Sequence, residues 1–200
     1  MSEKFEVKVT ERRQIYIHNT LENAVYHLKR KIEEHIQNNQ REGVGLEIMA
    51  CLTMMAFSFE AQVNFLGFKL DEKWAERKPY LVKVERIARK LKVPLDQSAR
   101  PYSTIKTLKT FRDTLAHGKP QIIKGEKNLV LTHEELTNRN ILKADWESYL
   151  TEEFLRQSYD DTDTLWKRLL QASGLDILDT VTAGESTFQI LGTVNDEGNA

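Results

Sequence analysis

From Asn19 to about residue 172, apolar residues recur every third or fourth position, the rhythm of helices that bury one face. Leu21, Val25, Leu28, Ile32 and Ile36 predict a first helix, capped by Asn19 or Thr20 and ending in the polar residues 37–42. Beyond Gly43 and Gly45, residues 46–66 are apolar over much of a helical circumference. That predicts a second helix buried against several neighbours or across a subunit interface, with Gly67 as its stop. Pro79 opens a third helix reaching Leu91, with Leu81, Val84, Ile87, Ala88 and Leu91 on its inner side. A fourth spans 102–116 on the stripe Ile105, Leu108, Phe111, Leu115 and Ala116, stopped by Gly118-Lys119-Pro120. Two further helices are expected at 144–157 and 162–172, separated near Asp160-Asp161.

Two segments follow a different rhythm. Residues 5–17 loosely alternate β-branched and aromatic residues with polar ones and predict a strand or extended arm. Residues 121–131 predict a small β-hairpin turning at Gly125. The expectation is therefore a mainly α chain: an arm over 1–18, a helical domain over 19–172 with a small hairpin after its fourth helix, and a tail over 173–200, poorly ordered at its end.

Composition narrows the class. A chain of 200 residues with 40% hydrophobic and 30% charged residues suits one domain that needs no staples. The only cysteine, Cys51, lies in an apolar run and reads as a buried hydrophobe, so no intrachain disulfide forms. The N-terminus has no secretory h-region, and the longest apolar stretch, 48–57, is about half a membrane span. A cytoplasmic location without membrane contact is the expectation. His18, His27 and His35 form no zinc spacing and no Gly-rich phosphate loop occurs, so neither metal nor cofactor is expected. Trp74, Trp146 and Trp166 read as core or interface anchors.

Candidate chemistry lies at the end of the fourth helix. Arg112 and His117 bracket Asp113-Thr114-Leu115-Ala116, directly before Gly118. Imidazole transfers protons near neutral pH, and guanidinium holds a phosphoryl oxygen bidentately. The same spacing occurs at Arg13/His18 and Arg30/His35, but neither pair has the acid after the arginine, the alanine before the histidine or the glycine behind it. Both the helix dipole and Asp113, four residues earlier, would favour a charged His117. Five helical steps set Arg112 and His117 ~140° apart, so they converge only if the last turn unwinds or a second protomer completes the site. The plainer alternative is that both residues cap the last helical carbonyls.

The segment Phe111-Arg112-Asp113-Thr114-Leu115-Ala116-His117-Gly118 resembles the signature of HEPN domains: Arg, then Asn, Asp or His, three residues, and His. Residues 56–67, with Glu60 and Asn64 one turn apart, are similar to the second-helix segment of bacterial members. The resemblance covers roughly 19–172 and implies an antiparallel helical bundle that dimerises with its motifs facing each other. It implies a metal-independent endoribonuclease of toxin or phage-defence type, acting on single-stranded RNA and open to neutralisation by an antitoxin or regulatory protein. Other members are inactive binding or dimerisation modules. In an active member Arg112 would stabilise the phosphorane, His117 would act as general acid or base, and Asp113 would orient one of them. Glu60 and Asn64 would be accessory, or a buried polar pair fixing helix register.

Charge changes this picture only when divided. The chain carries 29 basic and 30 acidic residues, but residues 73–119 have a net charge of +9 and residues 120–200 a net charge of -8. Arg100, Lys106, Lys109 and Lys119 surround the motif and are the candidate RNA contacts. Alternatively, the bases solvate the third helix or pair with the acidic C-terminal helices.

Overall fold

The computed structural model describes residues 3–126, 128–137 and 142–194. Strand β1 (Lys4–Gln14) leads into helices α1 (Ile17–Gln37), α2 (Val44–Leu70), α3 (Tyr80–Lys90) and α4 (Tyr102–Ala116). A single short turn of helix α5 (His133–Thr137) and a 3-10 helix (Asp145–Tyr149) precede α6 (Glu152–Ser173). A second 3-10 helix (Ile177–Thr180) then leads to strand β2 (Ala183–Val194).

α2 is the element around which the others pack. Thirteen of its 27 residues are buried, and its two halves sit in two apolar clusters. In the first half Ile48, Cys51, Leu52, Met55 and Ala56 meet Val25 and Ile32 of α1, Leu108 and Phe111 of α4 and Leu155 of α6. In the second, Phe59, Val63 and Leu66 meet Tyr80, Val84 and Ile87 of α3, Ile105 of α4 and Leu165, Trp166 and Leu169 of α6. These contacts within one chain account for much of the apolar character that suggested a subunit interface. By length and composition alone α2 would also suffice to cross a membrane, since the helix extends well beyond residues 48–57. Cys51 is fully buried, and desolvation pushes its thiol up to about 12, as fits a core hydrophobe.

Five expectations need correction. α1 begins at Ile17 with Tyr16 at its N-cap, ahead of the expected Asn19 or Thr20, and the Asn19 side chain donates to the Thr180 carbonyl instead of capping the helix. Gly67 does not end α2, which runs on to Leu70 because Trp74 folds back onto the bare glycine and covers that turn. The expected break at Asp160-Asp161 is absent. The helix expected over 144–157 is divided instead: a 3-10 turn ends at Tyr149, Thr151 caps α6 with its hydroxyl accepting the Phe154 N–H at 3.1 Å, and α6 then runs unbroken from Glu152, with Asp161 on its inner face. The hairpin at 121–131 is not formed: these residues have no ladder partner among the described residues, and Lys127 lies outside them. The sheet is made instead by the chain's two ends, β1 pairing antiparallel with β2 from Lys4↔Val194 to Gln14↔Ala183. The segment expected to be a tail is thus a strand up to Val194, and residues 195–200 lie outside the described residues.

Candidate active site

Three helices contribute to the motif region. α2 turns Thr53, Phe57, Glu60, Ala61 and Asn64 towards a single face, and none of the five is buried. α4 crosses near that face and places Arg112 over it. The Arg112 guanidinium lies 5.2 Å from the Phe57 ring centroid and 5.6 Å from that of Tyr80, the first residue of α3. Its Nη2 donates to Glu60 Oε2 at 3.1 Å. The other oxygen of Glu60 accepts from Lys83 Nζ at 2.5 Å, so this carboxylate ties α2 to both α3 and α4.

Lys83 is 3% exposed, a charged head taken almost wholly out of water. Such a group needs a partner, and Glu60 is the partner it has. Tyr80 is buried beside this pair, and its hydroxyl has no hydrogen bond among the described residues. Burial, reinforced by the Glu60 charge, raises that hydroxyl well above its ordinary pKa, so Tyr80 stays neutral. Asn64 Oδ1, one turn from Glu60, is also buried without a partner among the described residues.

Asp113 differs from expectation. Its carboxylate takes Lys109 Nζ at 2.6 Å and sits 3.1 Å from Arg112 Nε, so its charge is spent on its own helix rather than on His117. The Nε contact is an ion pair by distance only, because the N–H is not aimed at the oxygen. His117 occupies the C-cap of α4, where its backbone N–H donates to the Asp113 carbonyl at 2.9 Å. The imidazole is exposed and has no partner among the described residues. Among the described residues Arg112 and His117 share no hydrogen bond.

The two other Arg-x4-His pairs are structurally committed. His18 is 2% exposed, with its Nε2 3.1 Å from the Thr180 carbonyl, and His35 Nδ1 pairs with Glu47 Oε2 at 2.9 Å. Of the three motif histidines, His18 is buried, His35 is partly exposed but paired, and His117 is exposed with no partner among the described residues.

The basic ring around the motif is partly consumed. Arg100 forks onto Asp161 of α6 through Nε at 2.8 Å and Nη2 at 3.0 Å, the pairing with the acidic C-terminal part that the charge asymmetry allowed. Lys109 serves Asp113, and Lys106 Nζ donates to the Gln97 carbonyl at 3.3 Å. Lys119 stays exposed.

Sequence reasoning passed over Lys83, Tyr80 and Phe57. Lys83 carried a signal: it lies three residues after Tyr80 and four before Ile87, a charge on the stripe that faces the core. Phe57 and Tyr80 carried none, because an aromatic residue on an apolar helix reads as core.

No group of three or more metal-ligating side chains occurs among the described residues. Comparison of the chain with known protein families, curated proteins and solved structures finds no match.

Proposed function

We propose that this chain is a HEPN-type endoribonuclease, cytoplasmic and metal-independent, which cleaves single-stranded RNA as a homodimer in a toxin or phage-defence role. The observation that carries this reading is the contrast between Arg112, held by Glu60 and two rings, and His117, exposed at the helix end with no partner among the described residues. A fixed guanidinium suits a charge that develops at one place, and a solvent-facing imidazole suits proton exchange.

In this reading the 2′-hydroxyl attacks the adjacent phosphorus while His117 takes its proton. The P–O5′ bond breaks, and the partner's His117 protonates the departing 5′-oxygen. The products are a 2′,3′-cyclic phosphate and a 5′-hydroxyl, and no side chain becomes covalently bonded. Arg112 has Nη1 available for the phosphorane oxygens, since only Nη2 is engaged by Glu60. Asp113 and Glu60 act as positioning residues for Arg112, and Lys119 remains as a contact for the RNA backbone.

The test is cleavage of single-stranded RNA in EDTA. Wild-type protein should cleave, and His117→Ala should lose about 10²- to 10⁴-fold in rate. Cleavage that persists undiminished in His117→Ala overturns the assignment.

A second reading is an inactive HEPN-type binding or dimerisation module, regulating or regulated by a partner protein. It is favoured by the use of Arg112, Arg100 and Lys109 in internal ion pairs. It predicts no cleavage and no toxicity on expression. Growth arrest by wild type that disappears in Arg112→Ala would rule it out.

A further inference from the structure

Among the described residues, the terminal ribbon contributes to neither of the two buried apolar clusters. All eleven residues of β1 are exposed, although the strand is about 36 Å long. Alternation places Phe5, Val7 and Val9 on one face, opposite Thr193, Ile190 and Phe188 of β2, with Lys4, Glu6, Lys8 and Thr10 on the other. Phe188 is 74% exposed, and Phe5, Val7, Val9 and Ile190 are each about half exposed. Two strands alone are marginal in water. Three or more with an apolar face are needed for independent stability.

The two free edges differ. β2 is interrupted by Gly184 and Gly192 and by the irregularity opposite Glu6/Val7, devices that discourage further pairing. β1 has neither glycine nor proline over its length. It runs without a bulge, and among the described residues no strand pairs with its outer edge.

The sequence of β1 also matches itself. Run antiparallel to a second copy and centred on Val7, it sets Val7 opposite Val7, Phe5 opposite Val9, Glu6 opposite Lys8 and Lys4 opposite Thr10. Apolar residues meet apolar ones on one face, and acid meets base twice on the other. The neighbouring registers fail: centring on Glu6 or Lys8 opposes like charges, and centring on Val9 sets Phe5 against Arg13 and Val7 against Glu11. Beyond Thr10 the Val7 register brings Glu11 to Glu3, which bounds the pairing.

We infer that β1 is a homotypic docking strand, joining two copies of the chain edge to edge through a Val7-centred register into a four-stranded antiparallel sheet. The nuclease reading is not a premise of this inference: either can fail while the other stands.

The test uses full-length Val7→Cys protein carrying a thiol-specific nitroxide, with Arg12→Cys as its companion. Cys51 is buried and does not compete for label. Dipolar spectroscopy should report the closest approach at position 7, where opposed Cβ atoms lie about 5 Å apart. Position 12 should give about 34 Å, ten residues of strand rise. Absence of coupling at position 7, or a distance there longer than at position 12, overturns the proposal. Lys8→Glu, which opposes two carboxylates at each of two sites, should raise about tenfold the concentration at which the position 7 coupling is half lost. Glu6→Lys combined with Lys8→Glu should restore it. Failure of the reversed pair to restore coupling overturns the register.

Discussion

A glycine near a helix end is a stop signal only if nothing else covers that turn. At Gly67 a Cβ would overlap the Trp74 ring, so the bare backbone is the seat of an indole. Arg86 reinforces the arrangement, with its guanidinium 5.7 Å from the Trp74 ring and Nη2 2.5 Å from Asp71 Oδ2. Gly67→Ala should therefore destabilise the protein by about 1–3 kcal/mol, although alanine is the better helix former. Urea unfolding measures the loss, and a shifted tryptophan emission would show the indole displaced. Unchanged stability would mean that Trp74 is not seated there. The sequence held both residues, but nothing in local spacing reveals that position 74 returns to position 67.

Between elements, the helices were legible where a single apolar stripe met strong punctuation. α4 has the expected bounds because Pro101 and Gly118-Lys119-Pro120 enclose its period, and α3 begins directly after Pro79. The strand partner of β1 was not legible, because pairing across about 180 residues leaves no local trace and β2 contains two glycines. Polar residues misled in α6, where Asp161 looked like a break but is an inward acceptor for Arg100 and Thr104, the latter donating at 2.6 Å. Glu60 poses the same question, since it was legible as a polar mark but not as a tie between three helices. Removing it by Glu60→Ala strands the Lys83 charge in the core and should cost about 3 kcal/mol. Glu60→Leu with Lys83→Met removes both charges and should recover most of that loss, as denaturant unfolding can check. A loss below ~1 kcal/mol for Glu60→Ala would show that Lys83 finds water without it.

Across the whole molecule, the two chain ends meet where the ribbon joins the bundle. Tyr16 N–H donates to Thr182 Oγ1 at 3.0 Å, Asn19 Nδ2 donates to the Thr180 carbonyl at 2.8 Å, and His18 Nε2 donates to that same oxygen. His18 lies among the rings of Tyr16, Phe65 and Trp166, and Lys69 Nζ sits over Tyr16 and Phe65. Desolvation there lowers the imidazole below its ordinary value of 6.5, outweighing the backbone hydrogen bond that would raise it. Below pH 6.5 the unfolded chain therefore takes up a proton that the folded chain refuses, and stability falls with pH until the folded ring also titrates. The slope from this residue can approach ~1.4 kcal/mol per pH unit. Glu22, whose carboxyl burial pushes up, has the opposite sign: its contribution is lost as pH rises above 4.5. Comparing wild type with His18→Gln cancels that term. Unfolding free energies at pH 7.5 and 5.5 should differ more for wild type than for the variant. Amide exchange in β1 should rise at pH 5.5, after correction for intrinsic rates, in wild type alone, because protonation strikes at the clamp that holds the ribbon's base. Equal pH dependence in the two proteins would show that His18 is not what ties the ends together.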